Sequence, residues 1–329
     1  MDKVENELEL NMLPVEQGDC IHLRFCTDDV WHNIIIDSGP AGTSGVFRHL
    51  LEEIRERKEK VDLLCFTHID DDHIKGAERV FSNPSYDTSI ISEIWLNLPE
   101  HIAAQKDVLG KYSPATVRNG LHLWTEINTH KIPCVTHIEA GKKIKIGDME
   151  IEVLLPLKGR LNDYWAKWEI EAKKKELYAS QSILKTDSNK YNGVSIVLLC
   201  SIGKVHILLT GDAFAEDLTE VALKYKDYDL TLVKLPHHGS SANISMEMLE
   251  ALNCRSFLIS TKQSSKRPSP DTIQLLGKYG VKNQTITIYG NYKWPRFQEN
   301  YEHLKIIALQ KYDNAEYIEG VKLYCEDKR

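Results

Sequence analysis

One short segment constrains this chain more than any other: the apolar run from Leu63 to Phe66 is followed at once by a polar loop from Thr67 to His73. An apolar run of this length predicts a buried strand, and the residues from Ile74 to Phe81 predict the start of a helix. Side chains on a loop that leaves the end of a strand converge where water can enter. The segment therefore predicts a functional site at a strand end.

The loop places two histidines and two carboxylates at the spacing His-x-Asp-x-Asp-His, namely His68, Asp70, Asp72 and His73. Neutral imidazole and carboxylate groups are the ligands that bind Zn²⁺, Mn²⁺ or Fe²⁺. The alternative is an acidic helix N-terminus in which Asp70 or Asp71 is the cap and the histidines are incidental. Because that alternative accounts for the aspartates but not for the flanking histidines, a metal site is the preferred interpretation.

The spacing resembles the His-x-His-x-Asp-His signature of the metallo-β-lactamase superfamily, with Asp70 at the second histidine. Three more segments resemble motifs of that family, in the family's order: 34–39, which ends a strand in Asp37, 208–212 and the late histidine motif 235–240. The resemblance implies a four-layer αββα sandwich, with two sheets inside and helices outside. Strand groups separated by helices fit this α/β arrangement, although periodicity alone leaves other α/β architectures open.

Within the superfamily, the motifs are most similar to the hydrolase domain of the ComEC DNA-uptake competence proteins. The loop from Thr67 to His73 is called the metal loop below. The segments that carry this similarity are Gln17-Gly18-Asp19, the four residues His68, Asp70, Asp72 and His73 of the metal loop, Asn192-Gly193-Val194-Ser195, Thr210-Gly211-Asp212 and His237-His238-Gly239-Ser240. That domain is associated with nuclease activity on the incoming strand. Two features depart from the pattern: Arg267-Pro268 stands where the family usually has His-Pro, and the ComEC membrane channel has no counterpart in this sequence.

The resemblance implies two divalent ions, Zn²⁺ or Mn²⁺, per chain. The implied ligands are His68 and Asp70 for the first ion, Asp72 and His73 for the second, and Asp212 as a bridge between both. Either His237 or His238 would complete the second ion, and the sequence leaves both open. Two such ions would activate a water as hydroxide for attack on phosphorus or carbonyl carbon, and catalysis would depend on Asp72 and Asp212.

Other residues are expected around these ligands. Asp37 would accept a hydrogen bond from a metal-bound histidine, or would form the turn before Ser38. Asn192 and Ser195 stand where many family members have a further histidine, and Asn192 is either a weak ligand or a turn residue. This oxygen-rich set favours Mn²⁺ without excluding Zn²⁺. The candidates for holding a phosphate oxygen are Lys234, Ser240, Lys266 and Arg267.

Composition limits the possible classes of protein. With 42% apolar and 27% charged residues the chain is typical of a soluble globular protein, and its longest apolar runs are too short to cross a bilayer. A charged N-terminus without a signal-peptide pattern, and seven cysteines without a Cys-x-x-Cys pair, predict reduced thiols in the cytoplasm. The net charge of −7 provides no global attraction to nucleic acid.

We therefore expect one hydrolase domain over residues 1–329, with a helical insertion at about 159–188 and a C-terminal extension at about 291–329. Three functions stay open. The first is a soluble phosphodiesterase or nuclease, acting on nucleic acid or a nucleotide, with a separate protein partner and without a membrane. The second is a hydrolase of a carbonyl substrate such as a lactone, thioester, lactam or peptide. The third, a catalytically silent binding module, is disfavoured because the metal-side acids are all retained.

Overall fold

The computed structural model describes residues 7–98, 115–162, 164, 192–226, 229–283, 285–297, 303–309 and 321–324. In chain order the elements are β1 (Glu7–Met12), β2 (Ile21–Thr27), β3 (Val30–Ile36), α1 (Ser44–Glu56), β4 (Val61–Phe66), α2 (Asp71–Phe81), β5 (Ile94–Leu96), α3 (Ala115–Thr129), β6 (Cys134–Val135), β7 (Lys143–Ile146), β8 (Met149–Leu155), β9 (Val197–Ile202), β10 (Val205–Leu209), α4 (Ala215–Lys224), β11 (Leu232–Lys234), α5 (Met246–Leu252), β12 (Ser256–Ile259), α6 (Pro270–Asn283), β13 (Ile286–Gly290), β14 (Leu304–Ala308) and β15 (Val321–Tyr324).

The strands form two sheets that stack face to face. The first has the order β15-β1-β2-β3-β4-β5-β6, and the second has the order β14-β13-β12-β11-β10-β9-β8-β7. Apolar side chains fill three separate layers: between the sheets, between the first sheet and helices α1 to α3, and between the second sheet and helices α4 to α6. The predicted αββα sandwich is therefore confirmed.

The period of two along a strand divides its side chains between two of these layers. In β3, Ile34 and Ile36 face the core between the sheets, whereas Ile35 faces the helices. In β4, Leu63 lies in the inter-sheet core and Leu64 lies under the helices. Strands covered on both faces are apolar along their whole length, which explains the apolar runs in the sequence. Each fully buried side chain of this kind contributes about 1.5–3 kcal/mol to folding.

The parallel part of each sheet brings the sequence motifs to one edge of the sandwich. Strands β3, β4 and β5 are parallel, as are β10, β11 and β12. Asp37 follows β3, the metal loop follows β4, Asp212 follows β10 and the histidine pair follows β11. Ligands in α/β folds characteristically bind outside the carboxyl ends of parallel strands.

Two predicted segments differ in how far the structure describes them. The helical insertion at about 159–188 lies mostly outside the described residues. The C-terminal segment, predicted as an extension, supplies β14 to one sheet and β15 to the edge of the other. In the ranges that the structure describes, no helix has both the length and the apolarity to span a membrane.

Candidate metal centre

Residues of the metal loop differ in their exposure to solvent. Helix α2 begins at Asp71, which is exposed and contacts the Asn119 side chain, while His73 in the same first turn is buried. Asp70 occupies the N-cap position, but its side chain makes no capping hydrogen bond. Helix capping therefore does not account for Asp70, and the alternative interpretation of the loop loses its main support.

Asp212 lies between the two loop histidines. Its Oδ2 is 3.9 Å from His68 Nε2, and its Oδ1 is 3.5 Å from His73 Nε2. One ligand atom from each of these three residues lies within 4.8 Å of the other two. The predicted bridging acid is thus placed where a cation shared with both imidazoles could be bound.

A second group shares His73 with the first. Asp72 Oδ1 is 3.9 Å from His73 Nε2, and Asp72 Oδ2 is 3.1 Å from His238 Nε2. Ligand atoms of Asp72, His73 and His238 again lie within 4.8 Å of one another. Two adjoining groups of donors match the predicted dinuclear arrangement.

Buried atoms without hydrogen-bond partners test whether a cation fits. His68 Nε2, His73 Nε2 and Asp212 Oδ1 are buried and accept or donate no hydrogen bond among the described residues. A buried polar atom without a partner is destabilising by about 1–3 kcal/mol, more when charged. Because imidazole nitrogen and carboxylate oxygen are preferred donors to Zn²⁺ and Mn²⁺, divalent ions fit this set.

Asp37 orients both histidines of the metal loop through hydrogen bonds at their Nδ1 atoms. Its Oδ2 accepts the Nδ1–H of His73 at 2.8 Å and the hydroxyl of Thr67 at 2.8 Å. Since the Thr67 hydroxyl donates to Asp37, it accepts from His68 Nδ1 at 3.0 Å. These bonds leave the Nε2 lone pairs of both histidines directed at Asp212. The structure thus places Asp37 in the predicted supporting position.

The two neighbouring histidines of the late motif face different groups. His238 is buried and belongs with Asp72 and His73, whereas His237 Nε2 lies 3.7 Å from Asp212 Oδ2 and 3.3 Å from an Arg267 nitrogen. Both histidines adopt left-handed backbone, with φ of 49° and 54°. Such strain in residues with side chains is common at functional sites. The geometry favours His238 as the partner of the second group.

Asp70 and Asn192 lie at the margin of the cluster. Asp70 Oδ2 is 3.7 Å from His68 Nε2, although Asp70 is in neither compact group of described residues. Asn192 is buried, its carbonyl accepts the Ser195 amide at 3.0 Å, and its Nδ2 is 3.5 Å from His237 Nδ1. Its Oδ1 is buried without a hydrogen-bond partner among the described residues, so that Asn192 forms a turn and also stays a candidate weak ligand.

Opposite charges shift the pKa values of His73, His238 and Asp72. Burial by itself would lower the pKa of His73, but Asp212, Asp37 and Asp72 raise it well above its usual value. Burial also opposes charge on His238, yet Asp19 and Asp212 raise its pKa to about 9. Despite burial, His73 and His238 lower the pKa of Asp72 to about 2. Nearby positive charge thus stabilises the ionised carboxylates of this cluster.

Two of the candidate phosphate contacts, Lys234 and Ser240, are buried. Lys234 is 1% exposed, and its Nζ contacts Asp19 and donates to the Gly211 carbonyl at 3.1 Å. Ser240 is buried and its amide donates to the His237 carbonyl at 3.0 Å, within a turn. The Lys234 ammonium is therefore already bound by Asp19 and Gly211, which argues against a phosphate contact, whereas the predicted phosphate contact of Ser240 stays a prediction.

The other two candidates lie at the surface. Lys266 is exposed, and Arg267 is half-buried with its guanidinium beside His237. Arg267 is held by a turn in which its amide donates to Ser264 Oγ at 3.0 Å and its carbonyl accepts the Ser264 amide at 2.7 Å. The structure thus brings Arg267, but not Lys266, to the metal-binding cluster.

Asp19 is a site residue to which the sequence analysis assigned no role. It is buried, contacts Lys234, and lies 3.3 Å from His238 Nδ1. The preceding Gly18 packs so closely that a Cβ there would overlap the Asp72 carbonyl. The sequence signal was the acid at the end of Gln17-Gly18-Asp19, directly before an apolar strand.

Comparison with known proteins identifies the class. The model of the metallo-beta-lactamase superfamily matches residues 30–254, and the chain therefore belongs to this superfamily. It is accordingly a superfamily hydrolase by class, and the substrate is treated below.

The chain is also similar to ComE operon protein 3 of Bacillus subtilis, with 23% identity over 315 residues. The match covers 88% of this chain but only 34% of that protein, so the chain spans about a third of its relative's length. This similarity agrees with the ComEC-like motifs of the sequence.

Among solved structures, the chain is similar to the metallo-beta-lactamase fold protein YhfI from Bacillus subtilis, with 11% identity, a TM-score of 0.46, and coverage of 96% of this chain and 99% of that one. It is also similar to a diphosphatase from the PhnP family, with 13% identity, a TM-score of 0.40, and coverage of 94% and 85%. CmlA, a diiron β-hydroxylase from Streptomyces venezuelae, has 11% identity, a TM-score of 0.46, and coverage of 86% and 52%.

Proposed function

We propose that this protein is a metal-dependent phosphodiesterase that acts on a nucleic acid or a nucleotide. The observation that carries the proposal is the position of Arg267, whose guanidinium lies 3.3 Å from His237 Nε2 at the border of the metal-binding cluster. Among the described residues, Arg267 makes no ion pair with a carboxylate, so its donors can serve an anionic ligand. A planar guanidinium matches the oxygens of a phosphate group.

The charge of this residue is what favours a phosphodiester over a lactone or a thioester. A neutral carbonyl substrate needs hydrogen-bond donors at its reacting oxygen, but it carries no permanent anion for a cation to bind. Burial lowers the pKa of Arg267, whereas Asp212 and Asp72 raise it, and an arginine stays protonated at neutral pH. Similarity to the ComEC-type hydrolase domain supports the same substrate class.

The residues of the cluster have separable tasks in such a reaction. His68, Asp70, Asp72, His73, Asp212 and His238 would hold two divalent ions, which lower the pKa of water and offset negative charge when bound. Asp37 holds the Nδ1–H tautomer of His73 and, through Thr67, that of His68. Arg267 would bind and orient a phosphate oxygen at the His237 side.

One observation favours a different substrate. The net charge of −7 does not attract a long polyanion, which is an argument for a small substrate, including a carbonyl compound. A short nucleotide phosphodiester fits both observations, because it could bind at Arg267 without requiring an overall positive charge on the protein. A carbonyl hydrolase remains the second candidate.

The test is a substrate screen of metal-stripped protein reloaded with Mn²⁺ or Zn²⁺. It includes single- and double-stranded DNA, RNA, cyclic dinucleotides, a lactone and a thioester, each with wild type and Asp212→Asn. We expect phosphodiester cleavage by wild type and a loss of several orders of magnitude in Asp212→Asn, with circular dichroism unchanged. Turnover of the lactone or thioester with none of any phosphodiester would establish the second candidate instead.

A further inference from the structure

A buried ion pair lies directly behind the second group of metal-binding residues. Lys234, at the end of β11, is 1% exposed, and Asp19, in the loop before β2, is 1% exposed. Their charged groups are in contact, and Lys234 Nζ also lies 3.9 Å from Asp212 Oδ1. The predicted ligand set includes neither residue.

The backbone fixes Asp19 against the metal loop. Its amide donates to the Asp72 carbonyl at 3.3 Å, and its carbonyl accepts the Gly39 amide at 2.8 Å. From this position the carboxylate reaches two histidines at once, with Oδ1 3.3 Å from His238 Nδ1 and Oδ2 4.0 Å from His73 Nδ1. Asp19 therefore faces the Nδ1 side of His238, as Asp37 faces the Nδ1 side of His73.

We propose that Asp19 and Lys234 act as a unit that positions His238 for metal binding. The Ser260 carbonyl accepts from His238 Nδ1 at 3.0 Å, and the Asp19 carboxylate lies 3.3 Å from the same nitrogen, so that Nε2 faces Asp72 at 3.1 Å. Lys234 holds the Asp19 carboxylate in place, since its ammonium also donates to the Gly211 carbonyl. The proposal rests on the metal centre of the proposed function but not on its substrate.

Lys234 also balances part of the negative charge around the buried histidines. Five carboxylates surround the three buried histidines His68, His73 and His238, namely those of Asp19, Asp37, Asp70, Asp72 and Asp212. The Lys234 ammonium offsets one of them, which leaves four formal negative charges for two divalent ions to balance. Buried charge that is not balanced is strongly unfavourable.

Three variants separate positioning from a stabilising contact in the core: Asp19→Asn, Lys234→Met, and the two combined. Metal affinity is measured by competition of Mn²⁺ and Zn²⁺ with a chelator, and stability by thermal unfolding of the metal-free protein. We expect each variant to weaken one of the two metal-binding events by about 10–100-fold, as for other residues that orient metal ligands. Lys234→Met alone also lowers Tm, because it leaves Asp19 unpaired.

The double variant shows whether the pair positions His238 or only stabilises the core. It removes both charges, so we expect its Tm to recover relative to Lys234→Met while its metal affinity stays as weak as in Asp19→Asn. Non-additive losses in affinity would identify the two residues as one unit. A matched control is the surface pair Lys282 and Glu250, 2.7 Å apart, whose Lys282→Met and Glu250→Gln variants should bind metal like wild type.

Two results would overturn the inference. Wild-type affinity in Asp19→Asn or in the double variant would reduce the pair to a core contact, and if Lys234→Met does not fold the other two variants still decide. Absence of metal binding by the wild type would remove the proposed metal centre and this inference together. Wild-type protein that binds two ions but cleaves no phosphodiester would overturn the proposed substrate and leave the ion pair's role intact.

Discussion

His73 donates its Nδ1–H to the Asp37 carboxylate at 2.8 Å, and this bond fixes which nitrogen of the imidazole faces the site. The two residues come from different loops, Asp37 after β3 and His73 after β4, and the parallel pairing of those strands brings them together. Asp37 also accepts the Thr67 amide at 2.8 Å, so two hydrogen bonds hold its carboxylate in place. The pairing of β3 with β4 therefore determines the tautomer of His73.

This bond predicts the effect of Asp37→Asn. An asparagine can still accept from Thr67, but its amide nitrogen would donate to His73 Nδ1 and move the imidazole proton to Nε2. We expect metal affinity to fall by about 10–100-fold in a chelator competition, with little change in Tm. Asp62→Asn is the control, because Asp62 accepts the Asn33 amide at 2.9 Å far from the cluster. Unchanged affinity in Asp37→Asn would contradict a role in orienting His73.

Neighbouring aspartates in the metal loop offer a matched pair of variants. Asp72 lies 3.1 Å from His238 Nε2, whereas Asp71 is exposed and contacts only Asn119 among the described residues. We expect Asp72→Ala to lose at least one of about two bound ions per chain, and Asp71→Ala to keep both, as measured by elemental analysis after metal loading. Equal metal contents in the two variants would argue against Asp72 as a ligand.

Arg267 predicts how activity depends on salt. If its guanidinium contacts a phosphate, activity on a polynucleotide should fall with salt, and Arg267→Ala should lower the log–log slope by about one. Lys262→Ala is the control, because Lys262 is exposed and its Nζ lies 3.3 Å from Glu16 Oε1, away from the cluster. Metal content should be unchanged in both variants. A slope that responds equally to the two changes would indicate a diffuse electrostatic effect instead of a specific contact.

His22 predicts a loss of stability in mild acid. Burial lowers its pKa from 6.5 to about 4, although its Nε2–H donates to Asn33 Oδ1 at 2.9 Å. The unfolded chain takes up this proton below about pH 6.5 and the folded chain only near pH 4. Stability from His22 is therefore complete above pH 6.5 and is lost as the pH falls towards 4, by on the order of 3 kcal/mol.

The measurement is urea unfolding of the metal-free protein between pH 7 and pH 4. We expect His22→Gln to reduce the pH dependence, because glutamine can donate to Asn33 but does not titrate. His49→Gln is the control, since the His49 side chain is 67% exposed and should leave the profile unchanged. Identical profiles for wild type and His22→Gln would assign acid sensitivity to other groups.

Much of the site was accessible from the sequence because its motifs are local. A buried strand, a polar loop and a helix follow one another between Val61 and Phe81, so spacing alone placed His68, Asp72 and His73 on one strand end. The loop prediction needed the periodicity of adjacent elements and the known preferences of metal ions for imidazole and carboxylate. The role of Asp212 after β10 was instead implied by the resemblance of its segment to a motif of the superfamily.

The contacts that complete the site join residues distant in the chain, and only the tertiary structure decided them. Lys234 looked like a phosphate contact in the sequence, yet the pairing of β10 with β11 directs it to Asp19 in the interior. Likewise, the left-handed turn at His237 and His238 sends one imidazole towards Arg267 and the other towards Asp72. Sequence patterns determined which chemical groups the strand ends carry, because strands and turns are locally encoded. The order of parallel strands decided which of those groups meet, because strand pairing depends on packing between distant segments.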